Sequence, residues 1–202
     1  MVSVATKRNV IAVVLAAGSS SRFGATKQLA EIDGVPLVKR AVDAAIASRA
    51  AATVVVVGHD WQAVSAAIAP LAGFLVRNDD FEDGIGSSLS LAVRAARPAA
   101  DAFVVLLADQ PLVTAAHIDA IIDAWSGAAD EIVATAFAGT SGPPVLFPAG
   151  CFDDLALLHG DTGARALVQD SRFTVRNVEF ADAAVDVDVP EDLNPLQRNA
   201  HS

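Results

Sequence analysis

The chain has 202 residues, 53% of them hydrophobic and 19% charged, with one cysteine and a formal net charge of -10. That length and apolar content suit one large or two small ordered domains and exclude a disordered chain. The acidic balance disfavours binding to nucleic-acid backbones, Cys151 alone excludes an internal disulfide and fits a reducing cytoplasm, and no run reaches the ~18–20 apolar residues of a membrane helix.

Residues 1–9 carry Lys7 and Arg8 but no apolar leader core, so a soluble chain is expected. Val10 to Leu15 is a continuous apolar run that reads as a buried strand. It breaks at Ala17-Gly18 into Ser19-Ser20-Ser21-Arg22-Phe23-Gly24-Ala25-Thr26-Lys27. Glycines at 18 and 24 permit positive φ or close approach to a ligand. Unpaired N–H groups beside Arg22 and Lys27 suit a polyphosphate, although the same residues would serve an ordinary turn with solvated cations. A Walker A loop is excluded, because five residues rather than four separate the glycines and Gln28 follows Lys27. No G-x-G-x-x-G is present either.

Asp33-Gly34 signals a turn, Pro36 suits the first helical position, and Leu37 to Ile46 repeats at helical spacing. Thr53 to Val57 reads as a second all-apolar strand, followed by a helix over Trp61 to Ala69 and a short strand over Phe74 to Arg77. Such uninterrupted strands imply a parallel sheet covered on both faces. Gly84-Ile85-Gly86-Ser87-Ser88-Leu89 then opens a helix. Ser87 or Ser88 is a natural N-cap, and the same helix start could hold a base or ribose. Asp101 to Asp109 is the most apolar strand and ends in Ala108-Asp109-Gln110-Pro111. A carboxylate at the carboxyl end of a buried parallel strand lies where open α/β sheets bind ligands. Mg²⁺ takes one or two carboxylates together with phosphate oxygens and water, which makes Asp109 the first candidate ligand. Its competing role, capping the next helix, is one that Thr114 could also fill.

A helix is expected over Ala115 to Trp125, a strand over Glu131 to Phe137, and a Gly-, Ser- and Pro-rich segment over Ala138 to Pro144. Asp161 reads as an N-cap, and Arg165 as either structural or anion-binding. Val185 to Val189 alternates with Asp186 and Asp188, which predicts a strand with both acids on one face, and Pro190 then starts a helix. No repeat or linker divides the chain, so a single domain over 1–202 is expected, with a frayed polar tail at 194–202.

The pattern Leu-Ala-Ala-Gly-x-x-x-Arg-x-Gly-x-x-Lys, from Leu15 to Lys27, resembles the signature of the molybdenum-cofactor cytidylyl- and guanylyltransferases, the MobA-like NTP transferases. Gly84 to Leu89, Ala108 to Pro111, Gly160 to Arg165 and Asp186 to Leu193 resemble further elements of that family. Phe23 replaces the usual Met, and Pro143 stands where the family carries a His whose role is therefore not carried over.

The resemblance implies a three-layer, Rossmann-like α/β nucleotidyltransferase fold with a mainly parallel, doubly wound sheet, in which residues 135–180 cover the acceptor. Leu15, Ala16, Ala17, Gly18, Arg22, Lys27, Asn78, Gly86, Ser87, Ser88 and Asp109 would contact the nucleotide. Among them Arg22 would hold the β/γ-phosphates and Lys27 the α-phosphate, while Asp109 and Asp188 would hold Mg²⁺ (or Mn²⁺), with Asp186 in reserve. The implied reaction moves a nucleotide from an NTP, with CTP favoured by the Ala16-Ala17 context, to a phosphorylated acceptor such as molybdopterin, releasing pyrophosphate. Guanylyl transfer, another acceptor, or a non-catalytic chaperone that contacts a molybdenum enzyme are the alternatives. As a loop cation, Lys27 is expected to be solvated and to matter little to stability.

Overall fold

Every residue of the first strand, β1 (Val10–Ala16), is buried. Its side chains alternate between two separate cores: Val10, Ala12, Val14 and Ala16 enter one, and Ile11, Val13 and Leu15 the other. A strand covered on both faces has no polar side to display, which is why the run shows no alternation. The computed structural model describes residues 8–20, 22–69 and 73–198. Lys7, Ser21 and the 199–202 end of the expected frayed tail lie outside the described residues.

A small hairpin, β2 (Glu31–Ile32) with β3 (Val35–Pro36), follows β1 and leads into α1 (Leu37–Ala47). Then come β4 (Ala52–Val57), α2 (Trp61–Ile68), β5 (Phe74–Arg77), α3 (Ile85–Ala96), β6 (Ala102–Leu107) and α4 (Ala115–Ala124). The second half holds β7 (Glu131–Phe137), β8 (Thr140–Pro148), α5 (Phe152–Ala156), α6 (Arg165–Val168), β9 (Thr174–Glu179) and α7 (Leu193–Arg198). Seven strands form one sheet in the order β5-β4-β1-β6-β8-β7-β9, in which only the pairings of β8 are antiparallel. Helices α1, α2 and α4 pack on one face through Val38, Val42, Val64, Ile118 and Ile121. Helices α3, α5 and α6 cover the other through Leu89, Val93, Phe152, Leu155 and Leu167. This is the mainly parallel, helix-flanked α/β fold expected, with its strand order reversing beside β1 as such sheets do at ligand sites. No helix among the described residues is long and apolar enough to cross a membrane.

Local departures have physical causes. The stretch Val185–Val189 joins no strand of the sheet. Its alternation reflects Val187, fully buried in a third small core with Ile32 and Leu37, which leaves its neighbours Asp186 and Asp188 outside. Pro190–Asp192 is a 3-10 turn, and the helix begins at Leu193, so residues 194–198 of the expected polar tail are helical. Pro36 precedes α1 as its N-cap and pairs in β3. The cap of α3 is Gly84 rather than Ser87 or Ser88, because the helix starts three or four residues earlier than the serines suggest. Asp161 sits in a 3-10 turn (Gly160–Thr162) and caps no helix, since α6 starts at Arg165. The segment rich in Gly, Ser and Pro lies largely inside β8, where a register shift opposite Ala134 and Thr135 accommodates prolines that donate no ladder bond.

Candidate active site

Strand β1 delivers the chain to a loop that turns on two positive-φ residues, Ser20 at +55° and Gly24 at +75°. The Phe23 N–H donates to Ser20 O at 2.9 Å. The loop ends in a 3-10 turn, Lys27–Leu29, and the Thr26 hydroxyl donates to Asp60 Oδ2 at 2.8 Å. Buried Gln28 reaches across the loop: its Nε2 donates to Gly18 O at 2.8 Å, and its Oε1 accepts from Ser20 Oγ at 3.2 Å. Gly18 itself has ordinary φ, and a Cβ there would meet only Gln28 Nε2 at 3.9 Å. Its glycine therefore keeps the cleft open instead of relieving a clash within the protein.

Strand β6 ends beside it. The Ala108 N–H donates to Leu15 O at 3.2 Å, and Asp109 follows in the turn. Two contacts pull the C-terminal segment onto that turn: the Val187 N–H donates to Asp109 O at 3.0 Å, and buried Gln110 donates through Nε2 to Ala183 O at 2.9 Å. Asp192 Oδ2 accepts from the N–H groups of Asp188 and Val189, which fixes how Asp188 is presented. Lys27 Nζ thereby lies 2.7 Å from Asp109 Oδ2 and 3.3 Å from Asp188 Oδ1. Arg22, 80% exposed, stands 3.9 Å from Asp188 Oδ2.

Burial opposes the Lys27 charge, yet the Asp109 and Asp188 carboxylates outweigh it and hold the ammonium above the ordinary lysine range. Burial, then the charges of Asp109 and Asp188, push the Asp186 carboxyl up to about 6. Two carboxylates contact the ammonium, and Asp186 lies within reach of their charge. Asp109 Oδ1 is buried without a hydrogen-bond partner, an unsatisfied acceptor. Among the described residues no three or more His, Cys, Asp or Glu side chains form a complete metal cage. Two carboxylates completed by phosphate oxygens and water are nevertheless what Mg²⁺ prefers, so Asp109 and Asp188 fit it. Asp109 is not the cap of α4, since Thr114 Oγ1 accepts from His117 N–H.

A cleft of ≈ 320 Å³ opens between these elements, with Leu15, Ala17, Gly18, Lys27, Ser88 and Asp109 among its walls. Ala16, in contrast, is buried in the sheet, and Arg22 stands at the rim beyond Asp188. Asn78 and Ser87 face a neighbouring acidic hollow, where the Asn78 Nδ2 donates to both Ser87 Oγ and Ser88 Oγ at 2.9 Å. Gly86 is buried under His159. A second cleft of ≈ 460 Å³ shares Leu15, Ile85, Leu107 and Asp161 with the first. Phe137, Val145, Phe147 and Val168 make it mainly apolar, and Arg165 supplies its cation. Sequence reasoning missed Gln28, Gln110 and Asp192, whose amide and carboxyl groups orient the site; the positions of Gln110 inside Ala-Asp-Gln-Pro and of Asp192 inside the Asp186–Leu193 element offered a signal, and Gln28 had none.

The chain is 30% identical over 200 residues to the purine catabolism protein PucB of Bacillus subtilis, spanning 94% of this chain and 96% of that protein. It is 29% identical over 198 residues to the nicotine blue oxidoreductase of Paenarthrobacter nicotinovorans, spanning 93% and 96%. Among solved structures, Rv0371c of Mycobacterium tuberculosis superposes with a TM-score of 0.83 at 31% identity, covering 96% of this chain and all of that one. A structure of Rv0371c in complex with manganese superposes with a TM-score of 0.79 at 30% identity, covering 94% and 98%. Residues 12–177 match the MobA-like NTP transferase domain, and the chain belongs to that family.

Proposed function

We propose that the protein is a divalent-metal-dependent nucleotidyltransferase that takes an NTP, CTP by preference, and transfers NMP to a phosphorylated acceptor. The observation that carries this reading is the meeting of Lys27, Asp109 and Asp188 at the edge of the cleft behind Gly18. A divalent cation held by Asp109 and Asp188, Mg²⁺ or Mn²⁺, would neutralise triphosphate charge. The structure of Rv0371c in complex with manganese supports a divalent cation at this site.

No protein nucleophile is needed. An anionic oxygen of the acceptor phosphate attacks the α-phosphorus. The new P–O bond forms as the α–β bridging P–O bond breaks, and its electron pair leaves on pyrophosphate. The protein contributes alignment and charge: the 18–24 loop lies along the phosphates, Lys27 draws on the α-phosphate, and Arg22 steadies the β/γ end. Ala17, Gly18 and Ser88 line the space for the nucleoside. The acceptor occupies the adjoining apolar cleft, where Arg165 faces its anionic group and Phe137 and Phe147 its ring system. Molybdopterin is the acceptor we favour, and a molybdenum enzyme is the downstream partner; a cytoplasmic setting fits both.

Incubating the protein with molybdopterin, Mg²⁺ and each of CTP, GTP, ATP and UTP tests the reading through pyrophosphate release. CTP-dependent release is expected. Release with GTP alone would overturn the base assignment, and release only with another phosphorylated acceptor would overturn molybdopterin. Nucleotide binding without release from any NTP would instead support a cofactor-delivery chaperone.

A further inference from the structure

We propose that Gln28 is a positioning residue that sets the phosphate-facing loop before nucleotide arrives, an inference that rests on the nucleotidyltransferase reading. The residue is 5% exposed, and both ends of its side-chain amide are engaged by the loop. Nε2 donates to Gly18 O at 2.8 Å, and Oε1 accepts from Ser20 Oγ at 3.2 Å. The orientation is fixed by chemistry, since a backbone carbonyl can only accept.

Gln28 adjoins Lys27 at the far end of the loop, so this one amide ties the loop's entry at Gly18 to its exit at the lysine. In a trans peptide the carbonyl and the following N–H point in opposite directions. Holding Gly18 O against Gln28 therefore fixes the sense of the Ser19 N–H, on a residue that lines the nucleotide cleft. A released Gly18 carbonyl could turn outward and present an acceptor to an anion. Ser20 adds a second reason, because a non-glycine residue at φ +55° persists only where its surroundings hold it. Among the described residues, the one other hydrogen bond inside residues 18–24 is that from Phe23 N–H to Ser20 O. Phe23 anchors the middle of the loop against the core of Ile32, Leu37 and Val187, and the amide ties down its start at Gly18 and Ser20.

The test compares Gln28→Met, which keeps length and volume but no hydrogen-bonding group, with Ser20→Ala. Binding of CTP and of cytidine is measured by calorimetry alongside thermal unfolding. Gln28→Met is expected to weaken CTP by about tenfold while leaving cytidine unchanged. Ser20→Ala is expected to weaken CTP by roughly threefold, and the double variant should be no worse than Gln28→Met alone. A wild-type ratio of CTP to cytidine affinity in Gln28→Met, whatever its melting temperature, would reduce Gln28 to a packing residue. Should Gln28→Met fail to fold, Ser20→Ala decides: an unchanged ratio there overturns the proposal. Failure of the wild-type protein to bind any of the four triphosphates would overturn the nucleotidyltransferase reading itself, a result distinct from equal binding by wild type and variant.

Discussion

Lys27 shows how a single side chain can carry two roles that compete. Its side chain is 14% exposed and lies between two carboxylates, so the expected solvated loop cation is in fact a largely buried counter-charge. The sequence pattern marked it for phosphate through its offset from Gly18, but carried no sign that Asp188, 161 residues away, would pair with it. Lys27→Ala is expected to cost about 2–4 kcal/mol of transition-state stabilisation, roughly 30- to 1,000-fold in pyrophosphate-release rate. It should also lower the melting temperature of the metal-free protein, because Asp109, Asp186 and Asp188 then face one another unneutralised. Lys27→Met vacates Asp109 Oδ2 and Asp188 Oδ1 without adding a polar group. It should therefore bind Mn²⁺ more tightly than wild type when nucleotide is absent, by about tenfold. Electron paramagnetic resonance of free Mn²⁺ measures this, and equal affinities would show that the ammonium does not compete.

At the scale of elements, the glycine pair at the start of α3 has a packing role beside the ligand role its motif suggested. A Cβ at Gly86 would lie 2.8 Å from the His159 backbone, and one at Gly84, whose φ is +89°, would lie 2.5 Å from Asp161 Oδ1 and the Gly160 backbone. The glycines let the 159–161 segment dock on α3, and that segment borders both clefts through Asp161. A sequence shows that backbone comes close at a glycine, not whether the neighbour is a ligand or the chain itself. Gly86→Ala should therefore destabilise the fold by about 1–3 kcal/mol, visible as a lower melting temperature even without nucleotide; an unchanged one would return Gly86 to the ligand. A second element carries a pH dependence. The Thr135 hydroxyl donates to Pro144 O at 2.7 Å, so it must accept at 2.9 Å from His117 Nε2, which joins α4 to the β7–β8 hairpin beside the apolar cleft. Burial holds the His117 pKa below the ordinary histidine value. A lowered pKa gives stability that is present above about 6.5 and lost as pH falls through the folded value. The stability difference between wild type and His117→Gln should thus be larger at pH 8 than at pH 5 in urea titrations. A difference that grew on acidification would contradict the assignment.

The whole molecule closes its site by bringing the chain's end back to its beginning, and this explains what the sequence could disclose. The two-sided sheet was legible because β1 and β6 are apolar at every step and β4 at every step but Thr53, a pattern that cover on both faces produces. The antiparallel insertion of β8 was not, because its Gly-Pro-Pro stretch carries loop residues inside a strand. The return of residues 185–189 to Asp109 was legible through the resemblance alone; the alternation did not show that Val187 packs on Ile32 and Leu37, far away in sequence. If Asp109 and Asp188 share one ion through that closure, each Asp→Asn change should reduce turnover, and more so at Asp109, which is the less exposed of the two. The double variant should fall little below Asp109→Asn alone, since either loss disrupts the same ion. Excess Mg²⁺ or Mn²⁺ should partly restore each single variant by mass action. Asp186→Asn removes a carboxyl already pushed up to about 6 and should be the mildest of the three. Turnover titrated with metal across the four variants decides the matter: additive losses that no metal concentration restores would mean that the two carboxylates act separately, with Lys27 as the only cation they hold in common.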